Sequence, residues 1–487
     1  MAPRVLISLT CSTSSTLSLR TMLNRLFKLA ENRTTLPREL AAGLTTFTAM
    51  AYILAVNPAI LMNGFSADPA IGSDPTAASY LAVKGALLVA TAITAALSTL
   101  IMAFMTNYPL ALAPGMGINA FFAFSICLGA DVPWQQALGM VFVNGCIFLA
   151  LSITGAREKI VRCIPYSLKI AITCGIGIFI AFIGLKNAGI IVASPATLVA
   201  PGDFTSPPVA LALAGIILTA VLVARKVPGA ILIGIGAITV AGFFLPNGSG
   251  GTITPHPSSL ASLVSAPPSL APIFLQLDLS FLKDFTALLT VLPLILTLLL
   301  VDMFDNIGTL IGVTKRAGFL DKQGNLPKAG RALVSDSLAA ILSSLFGTST
   351  VVSYIESASG VEAGGRTGLT SVTVALLMLL ALFLAPIILL VPTAATAPVL
   401  VIVGIFMLQS VGEIEMDDFK IAVPAALTII GIPLTFSIAE GIGFGLISAA
   451  LLALFTGKPK GFPPVGYVVA TIFLFSFFKI FPFHDGH

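Results

Sequence analysis

The chain has 487 residues, of which 57% are hydrophobic and only 9% are charged, against about 25% charged residues in soluble domains. This composition excludes an ordinary soluble enzyme and indicates a polytopic helical membrane protein. The net charge of +4 predicts no nucleic-acid partner, because the basic residues lie in loops rather than in one patch. The cysteines show no metal-ligand spacing, so no metal site is predicted.

Fourteen apolar segments are long enough to cross a bilayer, and they fall into two sets of seven. The first seven spans are predicted near 40–62, 80–105, 109–129, 134–154, 166–185, 208–224 and 229–246. The second seven are predicted near 284–312, 331–347, 348–364, 367–391, 394–411, 418–437 and 439–456. The chain therefore divides into an N-terminal tail (1–38), a first repeat (39–246), an external linker (247–283), a second repeat (284–456) and a C-terminal tail (457–487).

The distribution of basic residues tests this span count independently. With both termini in the cytoplasm, 22 of the 25 lysines and arginines lie in the N-terminal tail, the C-terminal tail or the loops that follow even-numbered spans. Cytoplasmic loops are enriched in such residues. Only Lys84, Lys186 and Lys283 fall on the other side. A wrong count would scramble this segregation, so fourteen spans with both ends inside are predicted.

Two terminal segments leave alternatives open. Residues 464–481 form another apolar run, which either crosses the membrane or, as its aromatic content favours, lies at the interface. Residues 1–21 contain no acidic residue and are rich in Ser, Thr, Leu and Arg. They are interpreted either as an upstream start without function or as a targeting segment.

An odd number of spans in each half means that the two halves enter the membrane from opposite sides, as an inverted repeat. Inverted repeats are typical of secondary transporters, which bind substrate between broken helices. Span 3 (YPLALAPGMGINAFFAF) is interrupted by Pro114 and Gly115, and span 10 contains 348–352 (TSTVV), which favours extended backbone. Both spans are predicted to be a short strand running into a half-helix. The alternative is that Gly and Pro merely loosen ordinary helices.

Span 8 carries two acidic residues, Asp302 and Asp305, at the end of the charge-free run 285–301. Carboxylates at membrane depth cost roughly 2.5–3.5 kcal/mol each on insertion scales, so they usually face a cavity. Their i, i+3 spacing places both on one face of a helix. The pair therefore marks a candidate functional site.

Three long motifs identify a family resemblance. APGMGINAFF, VDMFDNIGTLIG and GTSTVVSYIESASGVEAGGRTGLTSV resemble signatures of the AzgA-like purine permeases, a branch of the nucleobase–ascorbate transporter superfamily. The resemblance covers roughly 38–456. It implies the uracil-permease fold, with spans 1–4 and 8–11 as a core domain and spans 5–7 and 12–14 as a gate domain. It also implies proton-coupled uptake of hypoxanthine, adenine or guanine across the plasma (inner) membrane.

The resemblance further implies that Asn119, Asp302, Asp305 and Glu356 bind the substrate. Carboxylates and an amide oxygen can accept hydrogen bonds from the ring N–H and exocyclic amino groups of a purine. Crowded carboxylates repel one another, so Asp305 and Glu356 are expected to carry the coupling proton. Asp302 is expected to affect affinity or purine preference more than turnover. The alternatives are structural pairing of the acids and a capping role for Asn119.

Phe122 and Phe304 are candidates for stacking on the base, and Thr46 for lining the site. The alternatives are ordinary packing of the rings and a hydrogen bond from the threonine to its own helix. The Gly- and Ala-rich stretches 175–184 and 441–455 predict smooth gate surfaces that slide past the core.

Other functions compete with this prediction. The alternatives are transport of uracil or xanthine, or of an anion by the same fold, although three acids argue against an anion. An intramembrane protease is disfavoured because the GxGD and HExxH patterns are absent. No enzymatic activity is predicted, and no cofactor beyond the coupling proton. The expected partners are a purine nucleobase and the lipid bilayer, and assembly as a homodimer is left open.

Overall fold

The computed structural model describes residues 22–155, 165–248, 250–257, 263–319, 326–457 and 462–478. The segment 1–21, on which the targeting hypothesis rests, lies outside the described residues. Each of the fourteen predicted spans corresponds to an element of the structure, so the span numbers are kept below.

The first seven spans are helices, except that span 1 is divided by a turn at Ala51 and Tyr52 and span 3 begins as a strand. Span 1 comprises Leu36–Met50 and Ile53–Phe65. Span 3 comprises the strand β1 (Leu112–Pro114), the helix Met116–Ala120 and the π-helix Phe121–Gly129. The other helices are Ala78–Thr106 (span 2), Trp134–Thr154 (span 4), Tyr166–Asn187 (span 5), Pro207–Ala224 (span 6) and Ala230–Gly242 (span 7).

The second half repeats this order. A 3-10 turn (Ser280–Leu282) precedes span 8, and span 10 comprises the strand β4 (Val351–Ser353) and the helix Ser357–Glu362. Span 11 comprises Gly368–Ala381, the turn Leu382–Leu384 and Ala385–Leu389. The other helices are Phe285–Arg316 (span 8), Ala329–Leu345 (span 9), Thr393–Leu408 with the turn Gln409–Glu413 (span 12), Phe419–Thr435 (span 13), Ile438–Phe455 (span 14) and the additional Pro464–Phe477.

In the described part of the chain, nine helices are long and apolar enough to cross a membrane, and four shorter helices are also apolar. Spans 3 and 10 are short because each is part strand. The predicted strands in these two broken spans are therefore confirmed.

Two features of the loops were not predicted. A hairpin of strands β2 (Ile191–Ser194) and β3 (Leu198–Pro201) joins spans 5 and 6. The linker between the halves is anchored to both of them, because the N–H of Leu275 donates to the carbonyl of Leu345 at 2.9 Å and the N–H of Asp278 to that of Gln135 at 2.9 Å.

The packing of the helices follows an inverted repeat. Strands β1 and β4, which occupy the same position in the two halves, pair antiparallel, with Ala113 opposite Val352. Span 4 packs on span 9, and the corresponding pair is span 11 on span 2. Span 6 packs on span 12, and the corresponding pair is span 13 on span 5. The fold is thus an all-helical membrane architecture of two inverted seven-span repeats, as predicted.

The helices make most of their contacts within two groups, one of spans 1–4 and 8–11 and one of spans 5–7 and 12–14. Glycines of the second group pack mainly inside it. A Cβ on Gly177 would lie 2.7 Å from the carbonyl oxygen of Gly404, and a Cβ on Gly441 would lie 2.6 Å from the amide nitrogen of Ile432. The prediction that these Gly-rich stretches form sliding surfaces toward the other group is wrong at these two glycines, which bring spans 5 and 12, and spans 13 and 14, into close contact.

Glu39 joins span 1 to the start of span 11. Its buried carboxylate accepts hydrogen bonds from the hydroxyls of Thr367 (2.8 Å) and Thr370 (2.6 Å) and from the backbone N–H groups of Arg366 (2.9 Å), Thr367 (3.2 Å) and Thr370 (3.3 Å). The first N–H groups of a helix have no partner inside it, and the helix dipole favours negative charge there. One carboxylate therefore caps span 11.

Replacing Glu39 by alanine is expected to lower the free energy of unfolding by about 2–4 kcal/mol, because several buried donors lose their acceptor. Glu39→Gln keeps one acceptor oxygen and is expected to cost about half as much. Thermal unfolding of the purified variants measures both. Glu31→Ala is the control, since in the described part of the chain the contact of its carboxylate is an exposed ion pair with Lys28. Equal melting temperatures for all variants would contradict the capping role.

Candidate functional site

The site begins where the two broken spans cross. The N–H of Gly115 donates to the carbonyl of Thr350 at 3.0 Å, and the N–H of Tyr354 donates to the carbonyl of Ala111 at 2.9 Å. These bonds extend the β1–β4 pairing at both ends. Irregular backbone is tolerated at membrane depth only when its polar groups are satisfied within the protein. The crossing is therefore a rigid platform inside the first group of spans.

Two carboxyl groups face this crossing. Oδ2 of Asp305 lies 3.5 Å from the position of a Cβ on Gly115, and the carboxyl of Glu356 is close enough to Asp305 for a direct electrostatic interaction. Both side chains are partly exposed. The hydroxyl of Tyr52 donates to Oε1 of Glu356 at 2.7 Å, and the hydroxyl of Tyr354 donates to the carbonyl of Pro114 at 2.8 Å. The structure thus brings Asp305 and Glu356 together beside two tyrosines.

The surroundings of the carboxyl pair differ between the side of span 10 and the side of the π-helix in span 3. Next to Glu356, Ile355 is 49% exposed although it lies in a broken span. At the other end, within the π-helix of span 3, Phe124 packs edge to face with Phe179 and with Phe436, with ring centroids 6.2 Å and 6.0 Å apart. The hydroxyl of Ser125 there accepts from the N–H of Ile438 at 3.3 Å. The second end is therefore closed by contacts between the two groups of spans.

Asp302 lies in a different environment from Asp305. Its buried carboxylate accepts from the amides of Asn144 (3.1 Å) and Asn306 (2.8 Å). Asn306 in turn accepts from the backbone N–H of Ser353 at 3.1 Å, and the hydroxyl of Ser353 donates to Asp336 at 3.1 Å. This chain of hydrogen bonds ties span 8 to strand β4 and to spans 4 and 9. The geometry gives Asp302 a positioning function, and its predicted contact with substrate stays a prediction.

Asn119 is fully buried in the half-helix of span 3. Its Oδ1 accepts a hydrogen bond from the hydroxyl of Ser349, whereas its Nδ2 has no partner within the described part of the chain. The amide therefore presents a donor rather than the acceptor expected from the sequence. The capping alternative is not what the structure shows, because Asn119 lies inside the helix Met116–Ala120, whose N-cap residue is Gly115.

The contacts described for the other predicted lining residues are with other parts of the protein. Phe122 is fully buried and stacks on Phe65, with ring centroids 6.1 Å apart. Phe304 is 9% exposed, and the ammonium of Lys169 lies 5.8 Å from its ring. Thr46 packs against Gly360, where an added Cβ would collide with its hydroxyl. Their proposed contacts with a base stay predictions.

The sequence prediction missed Tyr52, Asn144 and Asn306. Each is a hydrogen-bonding side chain in an otherwise apolar span, which is the signal that could have drawn attention to them. Tyr52 lies at the turn that divides span 1, and such breaks are frequent near membrane binding sites.

Comparison with known proteins agrees with this architecture. A family model described as Permease family (Xan_ur_permease) matches residues 37–456. The putative permease MJ0326 of Methanocaldococcus jannaschii is 46% identical over 93% of this chain and 97% of its own length. The guanine/hypoxanthine permease PbuG of Bacillus subtilis is 42% identical (93% and 98%), and the adenine permease AdeP of Escherichia coli is 40% identical (93% and 95%).

These matches define the chain as a multi-pass membrane transporter and not an enzyme. It belongs to the Permease family, in the purine permease branch that the sequence motifs predicted. The fold is also shared with the transmembrane domain of the cyanobacterial bicarbonate transporter BicA. That structure has a TM-score of 0.55 and 17% identity, over 85% of this chain and 97% of the BicA chain.

The hydrogen bonds of Asp302 can be tested by exchanging the carboxylate and the amide between positions 302 and 144. Asp302→Asn is expected to lower the melting temperature, because Asn144 and Asn306 then compete for one acceptor oxygen. Asn144→Asp is expected to be worse, since it places two carboxylates side by side. The double variant Asp302→Asn, Asn144→Asp restores one carboxylate facing an amide and is expected to recover most of the stability. A double variant no more stable than either single one would contradict the network.

Proposed function

We propose that this protein is a proton-coupled symporter that takes up purine nucleobases such as hypoxanthine, guanine and adenine. The observation that carries the proposal is the pair Asp305 and Glu356 at the crossing of the two broken spans. It is supported by the guanine/hypoxanthine and adenine permeases that match along almost the whole chain. The proposed location is the plasma (inner) membrane, with both termini in the cytoplasm.

The carboxyl pair fits the hydrogen-bonding edge of a purine. Ring N–H and exocyclic amino groups are donors, and ionised carboxylates are acceptor-only groups that bind such donors strongly. Tyr52 holds one oxygen of Glu356, which fixes the direction of the other. Asp305 and Glu356 are the proposed substrate acceptors. The free Nδ2 of Asn119 is the proposed donor to a ring nitrogen or carbonyl oxygen, on the same platform.

The same pair provides a reason for proton coupling. Two ionised carboxylates in a poorly hydrated site repel each other and lose their hydration, so the pair retains a proton readily. A neutral purine cannot neutralise that charge, whereas a proton can. Binding a proton and a purine together is therefore less costly than binding the purine alone. Asp305 and Glu356 are the proposed carriers of the coupling proton.

The arrangement of the two groups of spans supports alternating access. Spans 1–4 and 8–11 are the proposed core, and spans 5–7 and 12–14 the proposed gate. The exposed Ile355 lies on the cytoplasmic side in the proposed orientation, and the cluster of Phe124, Phe179 and Phe436 lies on the external side. On this proposal the described arrangement corresponds to an inward-open state, and rigid movement of the gate would separate Phe124 from Phe179 and Phe436 and open the other side.

Uptake measurements test the function. A host that lacks its own nucleobase transporters and expresses this chain is expected to accumulate radiolabelled hypoxanthine, guanine or adenine. Uptake is expected to rise as external pH falls, because a carboxyl must be protonated from outside, and to collapse with a protonophore. Replacing sodium in the buffer is expected to have little effect.

Asp305→Asn is the matched variant, with uptake expected to fall at least about 100-fold while the melting temperature changes little. Asp417→Asn, in the exposed loop before span 13, is the control and is expected to transport normally. Uptake that is absent for all nucleobases would refute the proposed substrate class. Uptake that requires sodium at fixed pH would refute proton coupling alone.

A cysteine crosslink tests the movement between the proposed core and gate. A Cβ on Gly117 would lie 3.0 Å from Cγ2 of Ile176, across the boundary between the two groups of spans. In a background without native cysteines, oxidation of Gly117→Cys, Ile176→Cys is expected to stop uptake, and a reductant is expected to restore it. Substrate binding from one side should survive.

The matched control is another Gly–Ile contact within one group. A Cβ on Gly215 would lie 3.1 Å from Cγ1 of Ile238, and both belong to the proposed gate. Crosslinking Gly215→Cys, Ile238→Cys should leave uptake unchanged. If the complete Gly117–Ile176 crosslink also left uptake unchanged, the rigid-body movement would be ruled out.

A further inference from the structure

A cavity lies at the end of the bundle where spans 1, 5 and 11 finish and spans 2 and 12 begin. Its volume is about 300 Å³. The polar side chains on its wall include Asn63, Tyr80, Lys84, Asn187, Thr393 and Thr396. Asp305, Glu356, Tyr52 and Tyr354 do not line it. In the proposed orientation this end is external.

Among the described residues that line this cavity, Lys84 is the one basic residue and none is acidic. The side chain is partly buried one and a half turns inside span 2. In the described part of the chain no carboxylate pairs with its ammonium. A charge withdrawn from water without a counter-charge is unfavourable, which favours an anionic occupant.

The acidic residues of the neighbouring loop are already engaged. Asp68 accepts from the indole N–H of Trp134 at 3.0 Å and from the N–H of Ala70 at 2.9 Å. Asp74 accepts from both the N–H (2.9 Å) and the hydroxyl (2.8 Å) of Thr76. The bonds to Ala70 and Thr76 close local turns, the bond from Trp134 ties the loop to span 4, and together they hold the two carboxylates in the loop. The protein itself therefore supplies Lys84 with no counter-charge from this loop.

We propose that the cavity around Lys84 binds a phosphate-type anion, supplied either by the headgroup of an anionic phospholipid or by free phosphate. The ammonium provides the charge, and the amide of Asn187 and the hydroxyl of Thr393 supply neutral donors, a combination that suits phosphate oxygens. Basic pockets between membrane helices bind lipid headgroups by the same chemistry.

The cavity has walls from both groups of spans. Asn63 and Lys84 belong to the group of spans 1–4 and 8–11, whereas Asn187 and Thr393 belong to spans 5 and 12. An anion held between them contacts both groups at once. Its binding is therefore linked to the relative position of the groups, and it stabilises the arrangement in which they approach each other at this end.

The test measures anion binding without any transport. The melting temperature of the full-length protein in detergent is followed during titration with sodium phosphate, against sodium chloride at equal ionic strength. A parallel titration uses mixed micelles with phosphatidylglycerol, against phosphatidylcholine. Wild type is expected to be stabilised by phosphatidylglycerol if the source is lipid, and by sodium phosphate if the source is the free ion.

Three lysine variants locate the effect. Lys84→Met is expected to weaken binding of the stabilising anion at least about tenfold, and Lys84→Arg is expected to retain this binding. Lys283→Met is the control, because Lys283 is an exposed lysine at the same end and outside the cavity. If Lys84→Met does not fold, Asn187→Ala on the opposite wall takes its place and is expected to weaken binding of the anion. The site is refuted if neither anion stabilises wild type, or if Lys84→Met, or Asn187→Ala in its place, responds like wild type.

Discussion

The structure depends on satisfying backbone polar groups at a point where the membrane interior contains no water. Strands β1 and β4 interrupt spans 3 and 10, and each would leave bare N–H and C=O groups if it were alone. Because the two strands come from corresponding places in inverted halves, they meet antiparallel and satisfy each other. This pairing explains why both breaks must be present together, and why the two half-helices start from one rigid platform.

The platform sorts the acidic residues by environment. Asp305 stands opposite the glycine that follows β1 and stays partly exposed, whereas Asp302, one turn earlier, is enclosed by two asparagines. An enclosed carboxylate with two amide donors is satisfied by the protein, so little free energy remains for a ligand. A carboxylate with an open side and a second carboxylate beside it is poorly satisfied, and can gain from binding a proton or a donor. The same residue type is thus structural at Asp302 and able to bind a ligand or a proton at Asp305, where we propose the functional site.

The contacts within a group of spans differ from the contacts between the two groups. Within the second group, spans 5 and 12 approach closely at Gly177 and Gly404, which gives a tightly packed unit. Contacts between the groups are made by the ring of Phe124 against Phe179 and Phe436 and by Ile176 against Gly117. Such apolar contacts can separate without stranding a buried charge, and this difference is what a moving gate needs.

The sequence by itself determined the span count, the inverted halves and the two broken spans, because hydropathy, loop charge and backbone propensity are local properties that a bilayer enforces strictly. It also pointed to Asp305 and Glu356, since a carboxylate in an apolar span is conspicuous. Only the tertiary structure decided which acids share a site. The i, i+3 spacing placed Asp302 beside Asp305, but neighbours from spans 4 and 10 gave the two carboxylates different partners. Tyr52, Glu39 and Lys84 were equally hidden, because their surroundings are built from segments far away in the chain.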